Sequence, residues 1–247
     1  MLSVNLQGGL GNQLFQLAAG ETIATQTKRT FCIPQDVTPR THHSDANYFD
    51  SIFRPWKGLY SNDPSTTTVA EPSYHLQPWE TLLDPASHHV ALSGYFQNYR
   101  YIPEDFCSRL ALPTQPFDPS GVFLHIRGGD YVGHPLHDVH LETCYYRWAI
   151  QQFPSDTHFY VFTNDVAYAK TMPFLKDIVH TFVETDELHA LNCMRQCAGG
   201  ICANSTFSWW GGYLAPNRPI VIPTKWFNDS RIVTEGYKVP GWITGPV

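Results

Sequence analysis

Apolar and polar positions follow two different rhythms along the chain. Beyond residue 121 short apolar runs alternate regularly with stretches of helical spacing. Val122 to Ile126 predicts a buried strand, followed by a helix over Thr143 to Phe153 with Tyr146, Ala149, Ile150 and Phe153 on one face. Strand His158 to Phe162 precedes helix Val166 to Thr171, and strand Val179 to Val183 precedes helix Glu187 to Arg195. A short strand, Gly200 to Ala203, leads into a helix opened by Asn204-Ser205-Thr206, and Pro219 to Ile222 supplies a last strand. This alternation is the pattern of a parallel sheet flanked by helices.

The first half is less regular. A strand over Ser3 to Leu6 runs into the glycine loop Gln7-Gly8-Gly9-Leu10-Gly11-Asn12-Gln13, then a helix with Phe15, Ala18, Ala19 and Ile23 on one face. A second strand is expected at Thr30 to Ile33, closed by Pro34. From Gln35 to Pro85 the residues predict irregular loops with short elements around Tyr48 to Phe53. His88 to Leu92 resumes a strand that ends in the aromatic and polar loop Gly94 to Tyr99, and a short helix follows from Pro103 to Leu110. The segment Leu112 to Gly121 carries three prolines in ten residues and is the best linker candidate. The architecture expected is α/β, with two Rossmann-like domains, 1–112 and 121–247, facing a cleft.

The glycine loop resembles a dinucleotide fingerprint only in part. With Gly9 and Gly11 as the first two glycines, Leu14 occupies the place of the third, where a helix must pack closely on its strand. A nicotinamide-dependent enzyme is therefore a weak alternative.

Composition narrows the classes. The 247 residues carry 16 Lys and Arg against 22 Asp and Glu, a net charge of -6, with the basic residues scattered; this excludes a nucleic-acid surface built on many phosphate contacts. Hydrophobic content of 43% and charged content of 15% describe an ordinary globular chain. Neither a leader nor an apolar run of membrane-spanning length is visible, so a cytoplasmic setting is the expectation. Cys32, Cys107, Cys144, Cys193, Cys197 and Cys202 show no zinc-ligand spacing and are expected as free, buried thiols.

Chemistry concentrates at two strand ends. The run Val122 to Ile126 delivers His125, Arg127 and Asp130 to a glycine turn, where an open α/β sheet binds ligands. A guanidinium fork suits phosphate oxygens, although an arginine and aspartate pair can equally serve only to pin a turn. Asn204, Ser205 and Thr206 open a helix whose dipole and backbone N–H groups favour an anion such as a diphosphate; simple capping is the competing use. Asp186 and Glu187 start another helix, where acids belong on dipole grounds, and a carboxylate there could accept paired hydrogen bonds from a guanine edge. No Asp-x-Asp pair is present to hold a divalent cation against a diphosphate, and no cofactor or metal is expected. The histidines other than His125 sit in no metal-binding frame and are taken as surface or core residues.

Four segments in order resemble the alpha-1,2-fucosyltransferases of glycosyltransferase family 11. They are Gly8-Gly9-Leu10-Gly11-Asn12-Gln13-Leu14-Phe15-Gln16, Gly94-Tyr95-Phe96-Gln97, His125-Ile126-Arg127-Gly128-Gly129-Asp130-Tyr131 and Asn204-Ser205-Thr206-Phe207-Ser208-Trp209-Trp210-Gly211. The resemblance implies a GT-B-like fold and a metal-independent, inverting transfer of L-fucose from GDP-beta-L-fucose to a hydroxyl of a glycan acceptor, typically O2 of a galactoside, with the donor held mainly by the C-terminal half. Carried over, Arg127 would bind the beta-phosphate and His125 would line the guanosine site. Ser205, Thr206 and Ser208 would approach the phosphates, Asp186 or Glu187 the guanine, and Gly9, Gly11 and Asn12 the donor sugar and acceptor. Apart from the resemblance, Asp130 is a candidate to accept the hydroxyl proton, or else to hold the turn and orient Arg127. One departure stands out: the family motif carries a second arginine where this chain has Gly128. That change motivates a non-catalytic glycan- or nucleotide-binding protein as a rival, and a protein O-fucosyltransferase is another.

Overall fold

Every paired strand in the computed structural model runs parallel to its neighbour. The structure describes residues 1–34, 47–65, 67–142 and 144–247. Parallel strands need long crossovers and both faces covered, which is why the strands read as continuous apolar runs rather than alternating ones.

The chain divides into two units, Met1–Leu112 with Glu235–Tyr237, and Pro113–Thr234 with Lys238–Val247. In the first unit, β1 (Leu2–Val4) leads through the glycine loop into α1 (Leu10–Gln26). Phe15, Ala18, Ala19 and Ile23 are all fully buried, as their spacing predicts. Then come β2 (Ile33–Pro34), β3 (Tyr60–Ser61), β4 (Thr67–Ala70), α2 (Trp79–Leu82), β5 (Val90–Ser93) and α3 (Phe106–Arg109). The sheet order is β1-β5-β4, with β2 and β3 forming a separate pair. Three-ten turns at Tyr48–Asp50 and Arg54–Leu59 pack Phe49, Phe53 and Trp56 inward. The strand β4 is a correction to the irregular loops expected over Gln35 to Pro85: Thr67, Thr68 and Ala70 are exposed, so this edge strand lacks an apolar signature. The remainder of that expectation that falls on 35–46 lies outside the described residues.

The second unit contains β6 (Val122–Ile126), α4 (Tyr145–Ile150), β7 (Phe159–Thr163), α5 (Val166–Ala169), β8 (His180–Phe182), α6 (Glu187–Gln196), β9 (Gly199–Ile201), α7 (Thr206–Tyr213), β10 (Ile220–Pro223) and β11 (Ile243–Gly245). The expected helix over Thr143 to Phe153 shortens to α4, Thr143 lying outside the described residues. β11 is a further correction, since Pro219 to Ile222 was expected to supply the last strand; β11 pairs with β10 through Val221 and Ile243.

The six strands are ordered β11-β10-β9-β6-β7-β8. The pleat sends Val122, Leu124 and Ile126 to one face, against Tyr145, Tyr146 and Ala149 of α4 and Ala169 of α5. Phe123 faces the other side, against Ala190 and Met194 of α6 and Ile220 of β10. Gly200 is required here: a Cβ on it would lie 2.0 Å from the Phe123 ring. The arrangement is thus helices, sheet, helices.

All six cysteines are free. Cys32, Cys197 and Cys202 are buried, but Cys144 is exposed, a correction to its expected burial. No helix of the described residues is long and apolar enough to cross a membrane.

Candidate functional site

From β6 the chain moves outward through β7 and β8, then returns across the sheet to β9 on the other side of β6. The reversal makes β6 and β9 the topological switch point, where loops at the carboxyl ends of neighbouring strands part and leave a crevice for ligand. His125, Arg127 and Asp130 follow β6; Asn204, Ser205 and Thr206 follow β9. The register Leu124 to Ile201 ties the two ends side by side.

Arg127 lies just past the strand, 15% exposed, with Nη2 donating to Oδ1 of Asp130 at 2.6 Å, and Asp130 is 48% exposed. The guanidinium lies over the Tyr131 ring at 4.7 Å. Tyr131 in turn stacks on His137 at 4.7 Å and 16°, and His137 meets His134 and Phe227. A cation held between a carboxylate and an aromatic face keeps its position while its remaining N–H groups stay directed by the planar fork. The turn itself depends on Gly129, whose φ of +60° disfavours a side chain, and on Asn164, which accepts from the Gly128 amide and donates to the Gly128 carbonyl.

Gly128 has a steric reason. A Cβ there would lie 2.7 Å from Cδ1 of Tyr168 and 2.9 Å from Cβ of Asp165. Tyr168 and Asp165 thus occupy the room an arginine at this position would need.

His125 points to the opposite face of the sheet, 3% exposed, with its ring 5.9 Å from Phe207. Burial, reinforced by the nearby Arg127 charge, lowers its pKa to about 3, so the imidazole is neutral at any working pH. Its Nδ1 is buried without a hydrogen-bond partner, while its backbone carbonyl accepts from Tyr146 Oη at 3.0 Å. A buried orphan nitrogen is costly unless something arrives to satisfy it.

Around the start of α7 the three polar residues do different things. Asn204, 3% exposed, donates to the carbonyls of His137 at 2.9 Å and Trp226 at 3.0 Å, tying two loops to the strand end. Ser205 is the N-cap residue but makes no side-chain capping bond, its carbonyl receiving the Ser208 hydroxyl at 3.2 Å. Ser208 is fully buried and so belongs to the helix interior. Behind them Trp209 and Trp210 are fully buried, and Phe207 is only partly so. Packing, not sugar stacking, accounts for the tryptophans.

Asp186 and Glu187 sit at the start of α6, after the edge strand β8, two strands away from β6. Asp186 accepts from the amides of Leu188 and His189 and pairs with His189 Nδ1 at 2.5 Å. Partial burial pushes its pKa up, but the His189 and Leu188 bonds prevail and leave it below the usual carboxylate value. Gly9 and Gly11 lie in the first unit, flanking the start of α1, and Asn12 accepts from Gln97 Nε2 at 2.7 Å.

The structure therefore brings Arg127 and Asn204 onto one depression, of about 310 Å³ including its open mouth, and adds residues the sequence did not single out. Tyr131, His137 and Tyr168 line it, as do Asp138, His140 and Glu142. His137 is missed from sequence because it matters through ring stacking, which leaves no spacing signature. Burial and the neighbouring His134 lower its pKa, favouring the neutral ring beside Arg127. Ligand atoms of Asp138, His140 and Glu142 lie within 4.8 Å of one another, the one group of three among the described residues with metal-ligand character. The His140 ring Nδ1 is 3.3 Å from each carboxylate, so the two acids and the imidazole also satisfy each other.

An α/β chain of parallel sheets, with an arginine turn and a helix start on adjoining strand ends, has the layout of an open α/β fold that binds its ligand at the strand carboxyl ends. The chain belongs to glycosyl transferase family 11, whose model matches residues 112–245. Two curated relatives come from Escherichia coli. The O-antigen biosynthesis glycosyltransferase WbnK is 30% identical over 46% of this chain and 42% of its own, so the match spans less than half of that relative. An alpha-1,2-colitosyltransferase is 25% identical over 92% of each chain. Among solved structures, a mutant of FUT1 from Arabidopsis thaliana in complex with GDP superposes at a TM-score of 0.56, with 10% identity over 95% of this chain and 72% of that one. Fucosyltransferase NodZ from Bradyrhizobium superposes at 0.50, with 13% identity over 87% and 93%. At these identities the likeness is one of fold.

Proposed function

We propose that this chain transfers L-fucose from GDP-beta-L-fucose to O2 of a galactoside on a glycan acceptor, with inversion and without a metal or other cofactor. The observation that carries the reading is the pairing of Arg127 with the start of α7 at the switch point of β6 and β9. A fixed guanidinium and a helix N-terminus on neighbouring strand ends supply positive potential from two directions, which suits a diphosphate. The sequence resemblance, and the GDP and fucosyltransferase relatives of the same fold, support the choice of donor.

In this reading the bond from the anomeric carbon to the β-phosphate oxygen breaks and its electron pair leaves with GDP. The acceptor oxygen bonds to the opposite face of that carbon. Arg127 and the N–H groups with Ser205 and Thr206 stabilise the charge developing on the β-phosphate. His125, neutral and holding an orphan nitrogen, takes a hydrogen bond at the guanosine side. Asp186 or Glu187 receives the guanine edge, and Ser208 supports the phosphate loop from within the helix. Gly9, Gly11 and Asn12, in an acceptor-side first unit, meet the sugars. Asp130 either accepts the proton of the acceptor hydroxyl or orients Arg127, the proton then passing to solvent water, and its 2.6 Å ion pair suits the second use.

The test is incubation with GDP-fucose and a panel of galactosides, with and without EDTA, detecting GDP and the fucosylated product and assigning its linkage by NMR. An α-1,2 linkage formed equally in EDTA is expected. Loss of turnover in EDTA would contradict the metal-free reading and turn attention to Asp138, His140 and Glu142. A second reading is favoured by the colitosyltransferase that matches 92% of both chains. Colitose is the 3-deoxy counterpart of fucose, so GDP-colitose in a parallel assay separates the two donors.

A further inference from the structure

The glycine loop of the first unit is held by a run of buried side-chain amides that ends at a residue from the far end of the chain. Gln13, fully buried, donates to the Gly8 carbonyl at 2.9 Å. Gln16, also fully buried, donates to the Gly94 carbonyl at 3.0 Å and accepts from the Gln7 amide at 2.9 Å. Loop 94–98 is fastened on another side by Glu71, whose Oε2 accepts from the amides of Tyr95 and Phe96. From this loop Gln97, 6% exposed, donates to Asn12 Oδ1 at 2.7 Å. The other end of the Gln97 amide accepts from the Tyr237 hydroxyl.

Tyr237 is 1% exposed, and the segment Glu235–Tyr237 belongs to the first unit although its flanking residues belong to the second. Its approach is close: a Cβ on Gly236 would lie 2.5 Å from the Gln97 carbonyl oxygen. An amide has one accepting and one donating end. With a hydroxyl donating to the oxygen of Gln97, its nitrogen faces Asn12. Asn12 then gives its oxygen to Gln97, and its own nitrogen lies on the Gly8 side, where a Cβ on Gly8 would stand 2.6 Å from Nδ2.

We propose that Tyr237 is a positioning residue that fixes the place and polarity of the Asn12 amide, acting through Gln97. The inference rests on the reading above insofar as Asn12 meets the sugars. An apolar residue at 237 would leave the buried Gln97 oxygen without its donor, so the Tyr237 hydroxyl decides which end of the Gln97 amide faces Asn12. Tyr237→Phe keeps the ring and removes only the donor.

The experiment combines kinetics with a readout that needs no activity. In Tyr237→Phe, kcat is expected to fall five- to tenfold with little change in KM, as one hydrogen bond to a positioned group is lost. In an Asn12→Ala background the same substitution should have no further effect, because the relay then ends on nothing. Multiplying losses, or unchanged kcat in Tyr237→Phe, would overturn the proposal. Independently, the Asn12 side-chain amide resonance, identified by its loss in Asn12→Ala, should shift in Tyr237→Phe; an unmoved resonance overturns the relay even if the wild-type protein transfers no fucose. Absence of wild-type transfer sinks the functional reading instead. Should Tyr237→Phe fail to fold, Gln97→Glu repeats both arms, since a carboxylate still accepts from Tyr237 but cannot donate to Asn12.

Discussion

Two strand-loop-helix turns in this molecule solve the same geometric problem with opposite electrostatics. In the first unit the turn after β1 contains no charge, and it is fixed by neutral amides of Gln13, Gln16 and Gln97. In the second unit the turn after β6 is fixed by an ion pair, Arg127 with Asp130, and an aromatic face, Tyr131. Neutral amides hold a backbone in one shape while offering hydroxyl groups a matching surface. A clamped guanidinium keeps a full positive charge at a strand end. Under the proposed function the neutral turn meets the sugars and the charged one the phosphates.

The largest effect is expected at Arg127. Arg127→Ala should lower kcat/KM for GDP-fucose by about a thousandfold, about 4 kcal/mol of transition-state stabilisation, measured by GDP release. Wild-type turnover in that variant would end the assignment of the charged turn to the phosphates. On the neutral side, Gly8→Ala meets two penalties at once, a φ of +77° and the Asn12 nitrogen 2.6 Å from the new methyl. A loss of about 2–3 kcal/mol in urea unfolding is expected, and no measurable loss would show that the turn is not rigid.

On the charged side, His125 makes the stability of the fold depend on pH. Its folded pKa of about 3 lies below the unfolded value of 6.5, so between those limits the unfolded chain binds the extra proton. The stability due to a neutral His125 is complete above the unfolded value and is lost as pH falls. From pH 7 to pH 5 the protein should lose about 2 kcal/mol that His125→Leu does not lose, with the difference read from urea midpoints. Equal losses in both proteins would remove His125 as the source. The smallest effect is expected at Asp130. If it only orients Arg127, Asp130→Asn should cost about 1 kcal/mol, five- to tenfold in kcat/KM, with an unchanged pH profile. A thousandfold loss would instead make it the proton acceptor.

Much of the second unit was legible because buried parallel strands and the helices covering them write strong apolar patterns. Val122 to Ile126 is recovered with its full range, and Glu187 begins its helix where the acids place it. Edge elements were not legible. β4 exposes its threonines, and β11 is a late strand of mixed burial after a long irregular stretch. In the site, residue types announced Arg127 and the Asn204 to Thr206 helix start. Relations between residues were silent: the stacking of His137 on Tyr131, the filling of space beside Gly128 by Tyr168, and the withdrawal of Ser208 into its helix all depend on distances that no spacing rule encodes.

The excursion of Glu235–Tyr237 into the first unit also limits how the chain can be cut. A fragment ending at Leu112 would carry Gln97 without the hydroxyl that satisfies it. A chimera that exchanged everything after that point with a relative would supply a foreign residue to the same place. Halves of this protein are therefore not interchangeable at a single crossover; recombination that respects its modules must exchange the N-terminal block and the 235–237 segment together.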